Sequence, residues 1–158
     1  MFERVSAEES AALEALACKV RNELAAAGLP VIAPGLDPAL TGGAEVDIDD
    51  GADAAGGVYV AWQPSSRLRA CASRAFRLKQ LNEPVLAHSS AVGVALMHAM
   101  SAVLTSAGFR VEETRDEYRP HQLRILNGPP PGQPPVWSFR DDELTLSGWQ
   151  DAPTSDTD

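Results

Sequence analysis

Apolar residues near the start of the chain recur with a helical period. Leu13, Leu16, Val20 and Leu24 fall on one stripe, while Glu14, Lys19, Arg21 and Glu23 take other faces. That spacing predicts an amphipathic helix that covers something. Ser6-Ala7-Glu8-Glu9 fits a capping box, in which the serine hydroxyl accepts from the backbone three residues on and the glutamate reaches back. Gly28 supplies the stop, because glycine adopts the left-handed conformation at low steric cost.

The period then shortens to two. Residues 45–49 (Glu-Val-Asp-Ile-Asp) alternate polar and apolar, and 58–62 (Val-Tyr-Val-Ala-Trp) form the clearest strand in the chain. Together they predict a β-hairpin, with 50–57 as its loop. Residues 29–33 read as an edge strand, since Pro30 has no N–H to give a ladder. The Pro- and Gly-containing stretch 34–43 reads as a loop. Further on, 109–112 and 122–126 read as two more strands, joined by a charged turn at 115–120.

No Lys, Arg, Asp or Glu occurs in 84–109. Asn82-Glu83-Pro84 suits a helix start and Gly108 a helix stop. The prediction is a helix over 85–107, about 35 Å long at 1.5 Å per residue. Val92, Leu96, Met100 and Val103 form its strongest stripe, and small residues fill most of the rest. Such a helix reads as buried on several sides. Its length would also suit a membrane span. The two histidines, the hydroxyl residues and the strand-like flanks argue against that, so no span is expected. The stop at 106–109 (Ser-Ala-Gly-Phe) echoes that at 26–29 (Ala-Ala-Gly-Leu), which reads as the same solution reached twice.

Just before this helix, 67–81 carries Arg67, Arg69, Arg74, Arg77 and Lys79 and no acid, so 5 of the 13 basic residues lie on one short predicted helix. Leu68, Cys71, Ala72, Ala75 and Phe76 share one of its faces, with Leu78 at the margin, and most of the arginines take the opposite face. After the last strand, 128–135 (Gly-Pro-Pro-Pro-Gly-Gln-Pro-Pro) reads as a stiff linker. Residues 136–149 carry Trp137, Phe139 and Trp149 and read as an aromatic hairpin or strand, and 150–158 as a disordered tail.

Residues 1–127 thus form a single α+β domain. The element order predicts an antiparallel sheet of about five strands, with the N-terminal amphipathic helix and the long apolar helix packed on it. A chain of 158 residues suffices for one such core.

Composition narrows the role. A net charge of −9 and a pI near 4.7 fit poorly with direct nucleic-acid binding, where basic patches supply affinity. Glu3, Glu8 and Glu9 fall where a signal peptide needs an apolar core, so a cytoplasmic location is expected. Abundant Ala, and Arg in excess of Lys, suggest a GC-rich bacterial genome. Cys18 and Cys71 form neither a disulfide framework nor a metal spacing and read as buried free thiols.

Candidate chemistry is sparse. Asp47, Asp49, Asp50 and Asp53 surround Gly51, but counting from Asp47 the glycine falls at position 5 and Val58 at position 12. A calcium loop needs glycine at position 6 and glutamate at 12. His88 and His98 are too far apart on a helix for an i, i+4 metal pair. Neither a nucleophile elbow nor a phosphate-binding glycine loop is present. No metal or cofactor is expected, and catalysis is not the expected role.

The expected function is a soluble protein-interaction module, such as an accessory, regulatory or chaperone-like factor. Its partner would be another protein or a second copy in a homodimer. Arg67, Arg69, Arg74 and Arg77, with Trp137, Phe139 and Trp149, are the candidate contact residues. The alternative is a small-molecule-binding domain or enzyme, with a pocket between sheet and long helix lined by Tyr59, Trp62, His88, Met97 and His98. A third reading makes the aspartate loop an acidic decoy for a nucleic-acid-binding partner.

Overall fold

The computed structural model describes residues 4–115, 117 and 119–138. Along the chain its elements are α1 (Ala7–Ala26), β1 (Gly43–Asp49), β2 (Gly57–Gln63), α2 (Ser66–Arg77), α3 (Pro84–Ser106), β3 (Arg110–Glu113) and β4 (Gln122–Asn127). The strands form one antiparallel sheet in the order β1-β2-β4-β3. The alternating segment pairs as predicted, from Gly43 opposite Gln63 to Asp49 opposite Gly57. β4 lies on the other side of β2, with Val60 opposite Leu123, and β3 closes that edge.

The period of two divides the sheet into unlike faces. Ala44 and Val46 of β1, Val58 and Val60 of β2, and Leu123 and Ile125 of β4 are buried on one face. Ala17, Val20 and Leu24 of α1 pack there with Met97, Met100 and Leu104 of α3, and Phe109 completes the cluster. Each large side chain in it contributes roughly 1.5–3 kcal/mol by leaving water. The alternate positions (Glu45, Asp47 and Asp49, Tyr59, Arg124, Glu112) share the opposite face.

All three helices end in the same hydrogen-bonded turn. After α1, Leu29 N–H donates to Leu24 O at 3.1 Å and Gly28 N–H to Ala25 O at 2.9 Å. After α3, Phe109 donates to Leu104 at 2.9 Å and Gly108 to Thr105 at 3.1 Å. Gly28 and Gly108 sit at φ +87° and +90°, where a Cβ would be strained. The echo between the two segments is this shared turn. At the other end of α1 the capping box forms as read. Ser6 N–H donates to Glu9 Oε2 at 2.8 Å, and Glu9 N–H to Ser6 Oγ at 3.2 Å.

Several expectations need correction. The sheet has four strands, not about five. Residues 29–33 make a single parallel bridge, Val31 to Ala44, with Ile32 N–H on Ala44 O and Ala44 N–H on Pro30 O. Pro30, with no N–H, leaves the pairing no room to extend on its side. Cys18 and Cys71 are exposed, not buried. The inward stripe of α1 is Ala17, Val20 and Leu24, and Cys18 turns outward beside it. α3 is long and apolar enough to cross a membrane by length and composition. In this fold it buries Met97, Met100 and Leu104, while Ala91, Ala95, Ala99 and Ala102 face outward. It is therefore covered on one side rather than several. Glu23, placed on a polar face by the periodicity, is buried.

Candidate functional site

α2 begins at Ser65, whose Oγ accepts from Leu68 N–H at 3.4 Å. Leu68 and Ala72 are half-buried and Ala75 is buried, so this stripe carries the helix on its neighbour α3. Arg67, Arg74 and Arg77 are exposed, and among the described residues no carboxylate pairs with them. Arg69 behaves differently. Its Nη2 donates to Gln63 Oε1 at 2.7 Å, and Gln63 Nε2 donates in turn to Glu45. That arginine ties α2 to the sheet, while the other three remain available to solvent.

The apolar part of this ridge is uncovered as well. Phe76 is 68 % exposed, Leu78 55 % and Leu81 65 %. On the helical wheel read from the sequence, Phe76 lay with Leu68 and Ala75 on the covered face. Ala75 is buried and Phe76 is not, because Phe76 stands at the edge of the narrow stripe of Leu68, Ala72 and Ala75.

The aromatic segment divides in the same way. Trp137 Nε1 donates to Glu23 Oε2 at 2.8 Å, which draws the chain after the Pro-rich stretch back onto α1. Pro129, Pro134 and Pro135 lie beside Lys19 and Asn22 there. Phe139 and Trp149 fall outside the described residues.

The residues of the expected pocket do not meet in one cavity. Tyr59 lies on the sheet face opposite Trp62, since odd and even positions of β2 alternate. Met97 is in the core. His88 and His98 are exposed on α3. Trp62 does line a cleft of about 420 Å³, formed where the end of β2 and the start of β4 face α2 and α3. Gln63, Leu86, Ser89, Gly93 and Gln122 line it with Trp62.

The aspartate loop is occupied with its own fold. Arg119 Nη2 donates to Asp49 Oδ2 at 2.6 Å, and its Nη1 stands 3.9 Å from Asp47 Oδ2. The same guanidinium lies 4.1 Å from the centre of the Tyr59 ring, a cation–π stack. Asp49 Oδ1 accepts from Gly51 N–H and Asp53 Oδ1 from Ala55 N–H, while Asp50 faces Arg4 at 3.6 Å. Sequence reading missed Arg119, which it placed in a charged turn. Its partner lies on another strand, and no local pattern links the two. Among the described residues, no group of three His, Cys, Asp or Glu side chains is gathered as a metal would need.

Among the described residues, the one clear shift in acidity is at Glu9. The Ser6 backbone N–H and then its hydroxyl hold the carboxyl below its ordinary value near 4.5. This is a helix cap, not a reacting group. Comparison with known protein families, with curated proteins and with solved structures finds no match for this chain.

Proposed function

We propose that this chain is a non-catalytic protein-interaction module that docks an acidic segment of a partner protein on α2 and the residues just after it. The observation that carries this reading is the exposure of Phe76, Leu78 and Leu81 among Arg67, Arg74, Arg77 and Lys79. Arg74 and Arg77 lie in the last helical turn, where cations complement the helix dipole. Exposed charge is usually no more than solvation. Those two facts account for the cations but leave the three apolar side chains in water. A partner with its own apolar strip and acidic rim would cover them and match the charge. A two-fold contact with a second copy would set Arg67, Arg74 and Arg77 against themselves, which favours a different chain as partner.

Affinity capture from the native host tests the reading when it compares wild type with Phe76→Ser/Leu81→Ser and with Arg74→Glu/Arg77→Glu. All four positions are exposed, so circular dichroism should match wild type. The expected result is one acidic protein enriched by wild type, weakened at about 0.5 M salt and lost from both variants. Equal capture by all three proteins would refute the docking surface. So would a wild-type preparation that only self-associates, or that binds anionic vesicles and no protein.

A further inference from the structure

We propose that the chain carries its own competitor for the α2 ridge, residues 149–158, which dock there when no partner does; this regulation rests on the docking role given to the ridge above. Charge points to that segment first. Residues 139–158 hold six acids (Asp141, Asp142, Glu143, Asp151, Asp156 and Asp158) against Arg140 alone, so they carry −5 of the chain's −9. Residues 67–81 carry Arg67, Arg69, Arg74, Arg77 and Lys79 and no acid. Opposite charge on two segments sets their encounter and orientation. The apolar chemistry matches as well. Phe76, Leu78 and Leu81 stand exposed, and Trp149 is a large aromatic two residues before Asp151. A tryptophan buries well against such a cluster and stacks on arginine planes. Asp151, Asp156 and Asp158 would then meet Arg74, Arg77 and Lys79.

Reach decides which part of the segment can arrive. Trp137 donates to Glu23 at 2.8 Å, and with Val136 it lies beside Val103, Ser106 and Ala107 at the C-terminal end of α3. α2 packs toward the other end, where Ala72 shares a cleft with Leu86 and Ser89. From Ser89 to Ser106 α3 rises about 26 Å, and from Ala72 to Arg77 α2 adds about 8 Å. The eleven residues from Phe139 to Trp149 span at most about 36–40 Å. Trp149 and the acids after it therefore reach the ridge, whereas Asp141, Asp142 and Glu143 fall short. The path passes Ala102, Ala99, Ala95 and Ala91, exposed on α3, a helix without charge to repel an acidic chain. Attachment to the same molecule gives an effective concentration on the order of millimolar, so a contact too weak between separate molecules forms within one. A partner then binds only the fraction of molecules whose ridge is open, and its apparent affinity falls by that fraction.

Cys71 gives the test its probe, because it is exposed and lies on α2. The experiment uses the full chain, isotope-labelled for NMR, with Cys18→Ser and a nitroxide on Cys71. Amide broadening is compared before and after the nitroxide is reduced. Amides of 149–158 should broaden at low salt and sharpen at about 0.5 M salt. They should also sharpen in Arg74→Glu/Arg77→Glu and in Trp149→Ser. In affinity capture, Trp149→Ser/Asp151→Asn should take up the acidic partner about threefold to tenfold more tightly than wild type, the gain from opening a ridge that is mostly occupied. Amides of 149–158 that stay sharp in wild type at low salt overturn the competitor, as does broadening that survives Arg74→Glu/Arg77→Glu. Broadening of an isotope-labelled chain by a nitroxide on an added unlabelled chain would make the contact one between copies, and overturns it equally. Sharp amides together with a captured partner would leave the ridge as a docking surface without its competitor. Broadened amides with no captured partner would keep the competitor and remove the partner.

Discussion

Lys79 shows how one backbone angle sets the length of an element. The sequence allows a helix to 81, yet α2 stops at Arg77. Lys79 holds φ at +56°, its N–H donates to Phe76 O at 3.0 Å, and Gln80 N–H donates to Ala75 O at 2.9 Å. This is the turn that closes α1 and α3, built without glycine. A left-handed non-glycine residue costs roughly 1–2 kcal/mol, offset in part by the greater unfolded-state freedom of glycine. Lys79→Gly should therefore raise unfolding stability by about 1 kcal/mol, read as a higher urea midpoint at unchanged slope. An unaltered or lower midpoint would mean that the lysine carries compensating contacts. Ser6 offers a second single-residue test, and here the sign with pH is fixed. The carboxyl of Glu9 is held below its ordinary value near 4.5 by Ser6. Its contribution is thus present above that value and is lost as pH falls through the lower folded one. Ser6→Ala should melt lower than wild type at pH 7, and the gap should narrow as the solution is acidified. A gap that stays constant down to acid would show that Glu9 is not part of the cap.

At the level of elements, what was legible was what repeats. The stripe of α1, the alternation of β1 and β2 and the uncharged run of α3 each involve many residues obeying one period, so tertiary packing had no reason to override them. What failed involved one or two residues against the average. A single bridge at Val31 is too short to carry a pattern, so residues 29–33 looked like a strand and are not one. Glu23 is polar and flanks the Val20–Leu24 stripe, and it meets a partner from far along the chain. That partner is Trp137, more than half exposed itself yet donating its indole N–H to the Glu23 carboxylate. The contact fastens the end of the Pro-rich stretch to α1. Trp137→Phe keeps the ring and removes the donor, leaving a buried carboxylate without it. The expected loss is about 1–3 kcal/mol in urea unfolding. Glu23→Gln should cost less, because the amide oxygen still accepts. Equal stability of Trp137→Phe and wild type would mean that water already serves this carboxylate.

Across the whole molecule, the net charge of −9 is a poor guide to what any face presents. The aspartates of the β1–β2 hairpin looked from the sequence like a free acidic surface. Arg119 reaches them from the β3–β4 connection, covering Tyr59 on the way, and Arg124 Nη2 adds a bond to Gly56 O at 2.7 Å. Asp47 and Asp49 on the open face of the sheet are therefore engaged by the fold's own arginine, whereas the exposed arginines of α2 have no such partner among the described residues. This contrast is why the docking surface is proposed on the helical side, and it is invisible to composition because Arg119 and Asp49 lie 70 residues apart. If the brace works as described, removing it should loosen β1 at the sheet edge without touching the helical core. The side chains of Arg119 and Asp49 are each about a quarter exposed, so the pair is screened less than a surface one and more than a buried one. Arg119→Ala should cost about 1–2 kcal/mol, part of it from uncovering Tyr59. A double-mutant cycle with Asp49→Ala separates the two contributions, with an expected coupling near 1 kcal/mol. Hydrogen exchange should accelerate most at the β1 amides that face β2, while amides of α3 keep their protection. A coupling near zero would mean that the aspartates are free after all. The acidic face would then compete with the α2 ridge as the place where a partner, of opposite charge, is received.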